Sequence, residues 1–162
     1  MKRFQGLAVT AVAMILALPA QTDDHAFVLT GAGRFAVLAD LASVRREGDS
    51  VLIRSFQVVE PDFTAGGQSY WGGWSWWRFD CAANTADRLD FASVREGGEE
   101  GPATPEDQPP YAVAPGGDAA ELLAVACASE RRPADVTTLE EAVTLGRAAL
   151  SGDLAGDPDQ PR

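Results

Sequence analysis

The sequence predicts an α+β fold: an antiparallel β-sheet of about five to six strands packed by a C-terminal helix, with one disulfide and an additional C-terminal helix. Three observations predict it. Short apolar runs separated by turn residues fill the chain up to about residue 94. Helical apolar spacing appears only after residue 117. The two cysteines, Cys81 and Cys127, fall one in each region. Strands first and helices last is the order of an α+β domain with an antiparallel sheet.

The first segment is an address. Lys2 and Arg3 precede an apolar run from Leu7 to Leu18, then Pro19-Ala20-Gln21. A basic start, a short apolar stretch and a small residue before the cut describe a secretory signal peptide over residues 1–20. The run is shorter than the roughly 20 apolar residues a spanning helix needs. The expected destination is periplasmic or secreted, with no membrane span after cleavage.

The mature chain then opens with strands at Ala26–Thr30 and Phe35–Leu38, turned by Gly31-Ala32-Gly33. Asp40–Ser43 reads as a turn or helical bend, followed by the polar stretch Arg45–Asp49. Val51–Val59 is the clearest strand, and Pro61–Gly67 a loop. Tyr70–Cys81 is an aromatic strand, Tyr-Trp-Gly-Gly-Trp-Ser-Trp-Trp-Arg-Phe-Asp-Cys. After a turn at Ala82-Ala83-Asn84, Ala86–Val94 supplies another strand. Gly97–Pro115, rich in proline, reads as a long irregular connection.

Asp118 followed by Glu121 resembles a capping box opening a helix from Ala119 to about Ala128, with Leu122, Leu123, Ala126 and Cys127 inward. A second helix starts at Thr137 or Thr138, with Glu140 or Glu141 reciprocating. Its apolar stripe is Leu139, Ala142, Val143, Gly146, Ala149 and Leu150, and Gly152 ends it. Residues 153–162 read as a disordered tail.

Composition narrows the function. The 162 residues carry 13 Lys+Arg against 24 Asp+Glu, a net charge of −11. Loss of residues 1–20 removes Lys2 and Arg3, so the mature chain is more acidic still, at about −13. Such a surface repels phosphate backbones and anionic lipid, so nucleic acid is not an expected partner. The mature chain has no Lys and no Met, and a single histidine, His25. Two thiols in an oxidising compartment pair by default, and only one intramolecular pairing exists, Cys81 with Cys127. Two thiols and one distant histidine fall short of the four ligands of structural zinc. No metal and no cofactor are expected.

Alternation along the aromatic strand sorts its side chains. With Cys81 turned to the helix it bonds, Phe79, Trp77 and Ser75 share its face and read as core. Trp74, Trp76, Arg78 and Asp80 point the other way. Three accounts of that outward face stand open: a homodimer interface, a platform for a flat apolar ligand such as a sugar or a haem-like ring, or coverage by the second helix or the long loop. Arg78 is placed to stack on Trp76.

The chain resembles the bacterial surface-adhesin protein E family of small exported proteins. The resemblance rests on Asp40-Leu41-Ala42-Ser43-Val44-Arg45-Arg46-Glu47-Gly48 and on the aromatic strand ending Phe79-Asp80-Cys81. It continues through Tyr111-Ala112-Val113-Ala114-Pro115-Gly116-Gly117 before a helix bearing Cys127. It divides the chain into a signal peptide (1–20), an adhesin-E-like α+β domain (21–129) and a C-terminal helical extension with its tail (130–162). The resemblance implies an antiparallel sheet packed by a helix and the Cys81–Cys127 bond, and it leaves a homodimer open. Members of that family are associated with binding host matrix and serum proteins and haemin; what the resemblance carries to this chain is the fold and the disulfide.

An enzyme needs a nucleophile or base held by a partner. His25 lies near the new N-terminus, where chains fray. The acidic pairs Asp23-Asp24, Glu99-Glu100 and Glu140-Glu141 read as solvated surface, and Asp80 as structural. No glycine loop follows a strand and opens a helix. For haem, only His25, Tyr70 and Tyr111 remain as axial ligands. The expected function is therefore a non-enzymatic exported binding or interaction module using Trp74, Trp76 and Arg78. The alternatives are a periplasmic protein for a sugar- or haemin-like small molecule, or an acid-dependent hydrolase. Its partner, protein or small molecule, is not specified by the sequence.

Overall fold

The computed structural model describes residues 25–152. The expected signal peptide and the expected tail over 153–162 lie outside these residues. Nine strands and two helices are found among the described residues: β1 (Phe27–Ala32), β2 (Ala36–Glu47), β3 (Ser50–Val58), β4 (Thr64–Ala65), β5 (Gln68–Asp80), β6 (Thr85–Arg88), β7 (Asp90–Arg95), β8 (Thr104–Pro105), β9 (Tyr111–Ala112), α1 (Asp118–Ala126) and α2 (Leu139–Ser151). The α+β class is as expected; the strand number exceeds the five to six expected.

All named pairings are antiparallel, in the order β1-β2-β3-β5-β6-β9. β5 is long enough to hold two partners along one edge, β7 beside Tyr70–Trp74 and β6 beside Trp77–Asp80. The expected single strand over 86–94 is broken at Leu89. There Asp90 Oδ1 accepts the Trp76 N–H at 2.7 Å, a bond that a strand partner would otherwise supply. Three further strands, β4, β8 and β9, are two-residue pairings inside segments the sequence marks as loop. Pairing β4 with the start of β5 depends on Gly66 and Gly67, with φ of 57° and 76°. Two successive positive φ values make the tight hairpin turn that suits twisted strands.

The bend expected at Asp40–Ser43 is instead part of β2. The register slips between Asp40 and Arg45, and side chains hold the bulge. Asp40 Oδ1 accepts from Ala42 N, while Ser43 Oγ donates to the Asp40 carbonyl and accepts from Arg54 N. The same polar residues that signal a turn here satisfy a bulge within a continuing strand.

The two helices take opposite faces of the sheet. Val37, Ala39, Val51, Ile53, Trp77, Phe79 and Ala86 form one buried cluster with Leu122 and Ala126 of α1. Residues of the other parity, Leu38, Phe56, Val58 and Trp74, form a second cluster with Ala142 and Val143 of α2. The helix the sequence sets in an extension is thus the third layer of the same sheet. Cys81 and Cys127 are bonded, with Cα atoms 5.7 Å apart, tying β5 to the end of α1.

The α2 cap is as expected. Thr138 is the N-cap, its hydroxyl accepting from Glu141 N, and Glu141 reciprocates. Those bonds hold the exposed Glu141 carboxyl below its ordinary range, backbone N–H donation from Thr137 being the largest cause. Gly152 closes the helix at φ 80°. The α1 cap departs from expectation. Its N-cap is Gly117, without a side-chain bond, and Asp118 is already helical. Glu121 folds over Gly31 instead, so closely that a Cβ at Gly31 would stand 2.0 Å from Glu121 Oε2.

Candidate functional site

The α1 face of the sheet is hollowed where its strands carry small side chains. Cross-strand pairing places Ser55 beside Ser75, and Gln57 beside Gly73, which in turn faces Ser93. These two rows lie past the Ile53–Trp77 row; the start of α1 reaches Gln57, but no α1 residue lines the pocket over Gly73 and Ser93. Little side-chain volume rises from the two rows, so a concavity remains.

Aromatic rings wall it. Phe35, Phe63, Tyr70, Phe91 and Val59, with Gln57 and Ser93, line a pocket of about 320 Å³ whose floor is Gly72-Gly73. That volume sits at the lower end of the range for small-ligand sites, and its lining has their usual character, apolar with few polar groups. The floor must be glycine. A Cβ at Gly72 would stand 1.8 Å from the Gln57 carbonyl oxygen, and one at Gly73 2.3 Å from the Phe91 ring. Phe63 is 43% exposed and forms the rim.

Beyond Gln57 the hollow continues past Arg88. A second pocket of about 300 Å³ is lined by Gln57, Trp77, Arg88, Tyr111 and the start of α1, and a third by Arg88, Glu106 and Pro109–Tyr111. Arg88 lies flat on the sheet. Its Nε donates to Ser75 Oγ at 2.9 Å and its Nη2 to Gln57 Oε1 at 3.4 Å, with Glu106 Oε1 3.3 Å from Nε. Its guanidinium carbon stands 5.7 Å from the Trp77 ring centre and 5.3 Å from that of Phe91. Trp77 Nε1 donates to Ser55 Oγ at 2.9 Å, so both buried serines are partnered. Burial raises the Tyr111 phenol above its ordinary pKa, and the charge of Arg88 partly offsets this.

The residues singled out from the sequence lie on the opposite face. Trp74, Trp76 and Arg78 do share it, as alternation requires, but their environments differ. Trp74 is 3% exposed. Its ring packs on Phe56, Phe27 and His25, with the Arg54 guanidinium 4.3 Å above it. The ring is thus covered within the chain. Trp76 is half-buried, and the cation over it is Arg45, at 4.3 Å, rather than Arg78. The β2 bulge explains the exchange, because the register slip sets Arg45 opposite Leu52 on that face. Arg78 is exposed and paired with Asp87 at 3.3 Å.

His25 is anchored rather than frayed. Its Nδ1 lies 2.8 Å from Asp40 Oδ2, and Asp40 also accepts from Ala26 N and Ala42 N. Arg54, above Trp74, pairs with Glu100. No serine hydroxyl stands in hydrogen-bond reach of His25 among the described residues. The pair therefore pins the entry of β1 onto the sheet. Asp80 likewise caps its turn, Oδ1 accepting from Ala82 N and Ala83 N. Among the described residues there is no group of three or more His, Cys, Asp or Glu side chains suited to a metal ion, and no helix long and apolar enough to cross a membrane.

Sequence reasoning missed the α1-face hollow. Its signal was available: small or polar residues, Ser55, Ser75, Gly73 and Ser93, occupy inward positions of strands whose inward neighbours are large and apolar. What the alternation could not supply was which rows α1 leaves uncovered.

Comparison with known proteins adds no further guide: no family model, no curated protein and no solved structure matches the chain.

Proposed function

We propose that the protein is an exported, non-enzymatic binding module of the surface-adhesin protein E kind, which holds a small ligand with a flat apolar body on the α1 face of its sheet. The observation that carries the reading is the aromatic pocket floored by Gly72-Gly73, the concave apolar surface left beside α1. The disulfide suits an oxidising compartment, and the basic-then-apolar start of the sequence supports the reading of export. The His25–Asp40 pair is spent on anchoring β1, which favours binding over catalysis.

Equilibrium titration with N-phenylnaphthylamine, a neutral dye that brightens in apolar surroundings, tests this. Saturable brightening is expected with the mature protein, weakened at least several-fold in Phe63→Ala, whose rim ring is solvent-facing and not part of either core cluster. A linear, unsaturable response, or equal binding by Phe63→Ala, counts against the pocket.

A second reading is self-association through the other face, favoured by the half-buried Trp76 beside exposed Arg78. Light scattering of the wild type against Trp76→Ala decides it: a dimer that becomes a monomer supports it, and a monomeric wild type removes it.

A further inference from the structure

Gln57 is the wall shared by the apolar pocket and the Arg88 pocket. Arg88 fixes which way its amide is turned. A guanidinium offers donors only, so the atom of Gln57 that faces it is the oxygen, as the Nη2–Oε1 contact of 3.4 Å shows. That contact is long, yet the opposite rotamer would set an N–H group against a cation. The two amide N–H groups of Gln57 are therefore turned away from Arg88, and among the described residues none of the hydrogen bonds involves Gln57 Nε2. Arg88 is itself held, by Ser75 Oγ and between the rings of Trp77 and Phe91, so the orientation is imposed from a fixed point.

The other polar side chains of the apolar pocket are the hydroxyls of Ser93 and Tyr70, which both donate and accept and so leave the discrimination to Gln57. We infer that the pocket selects a small aromatic ligand carrying a hydrogen-bond acceptor, such as a ring nitrogen or a carbonyl, over one carrying a donor, with Gln57 reading the acceptor and Arg88 positioning Gln57. This rests on the pocket being the binding site. Discrimination follows from pairing: a ligand N–H brought to the amide N–H groups loses its water and gains no partner.

Three bicyclic probes of nearly equal size separate the possibilities: naphthalene with no polar atom, quinoline with a ring acceptor, and indole with a ring donor. At a pH where quinoline is uncharged, the wild type should bind quinoline about five-fold or more tighter than indole, the worth of one net hydrogen bond. Gln57→Glu, acceptor-only and still able to pair with Arg88, should reverse the order in favour of indole, with the near-ultraviolet signal of the tryptophans confirming its fold. Equal affinities for quinoline and indole in the wild type, or a wild-type preference for indole, overturn the inference even where naphthalene binds. An unchanged order in folded Gln57→Glu also overturns it. If none of the three binds, the pocket reading itself falls.

Discussion

Gly73 and Phe91 are fitted to one another across paired strands: a Cβ added at Gly73 would stand 2.3 Å from the Phe91 ring and 3.1 Å from the Ala92 carbonyl. The floor of the pocket and one of its walls are thus a single contact, and a larger residue at Gly73 must displace Phe91.

Gly73→Ala should therefore act on both stability and binding. The new methyl group must displace Phe91, a wall of the pocket, an overpacking that costs about 1–3 kcal/mol. A lowered urea midpoint together with loss of dye binding is the expected result. A variant as stable as wild type with dye binding intact would mean that Phe91 can move aside freely.

Much of this architecture is legible in the residues, and the misses have a common cause. Alternation in Val51–Val59 and Tyr70–Cys81 places Trp77 and Phe79 in the core and sets Trp74 on the reverse face, as found. Thr138, Glu141 and Gly152 mark both ends of α2. What failed was the meaning of isolated polar residues inside strands. Asp40 and Asp90 each satisfy a backbone N–H, Asp40 within its own bulge and Asp90 across to Trp76 where the strand breaks, and a turn would show the same residues. The pocket was hidden for a different reason. It exists because α1 reaches Gln57 but leaves Gly73 and Ser93 uncovered, a tertiary fact with no local signature.

On the other face, Gly146 of α2 sits against Val58. Gly146→Ala gains about 1 kcal/mol of helix propensity. The added Cβ would however lie 2.7 Å from Val58 Cγ2, and Val58 is fully buried. Overpacking of a closed core costs about 1–3 kcal/mol, so the net change should be destabilising. Chemical denaturation checks the sign, and a stabilised variant would show that α2 can shift on the sheet at little cost.

The Cys81–Cys127 bond closes a loop with a sequence separation of 46 residues. By the chain-entropy estimate its loss costs about 4 kcal/mol. The Cys81→Ser, Cys127→Ser double variant should lower the unfolding free energy by about that amount, and reduction of the wild type should do the same. An unchanged urea midpoint on reduction would show that the staple contributes nothing to the folded state.

Acid should loosen α2 through its cap. Glu141 titrates below its ordinary range because three bonds from Thr137 and Thr138 favour its charged form. A carboxyl with a depressed folded pKa contributes stability that is complete above its unfolded pKa and is lost as pH falls through the folded value. Between wild type and Glu141→Gln, which can keep the reciprocal bond but cannot titrate, the gap in urea midpoint should narrow as pH falls through and below the ordinary carboxylate range. A gap constant over that window would show that the cap does not sense protonation.

The binding surface itself is tested most directly by amide shift mapping. Naphthalene titrated into isotope-labelled mature protein should move the signals of Gln57, Tyr70, Gly73, Phe91 and Ser93 together and saturably. Shifts gathered instead around Trp74, Trp76 and Arg78, or no shifts at all, would contradict a ligand site on the α1 face.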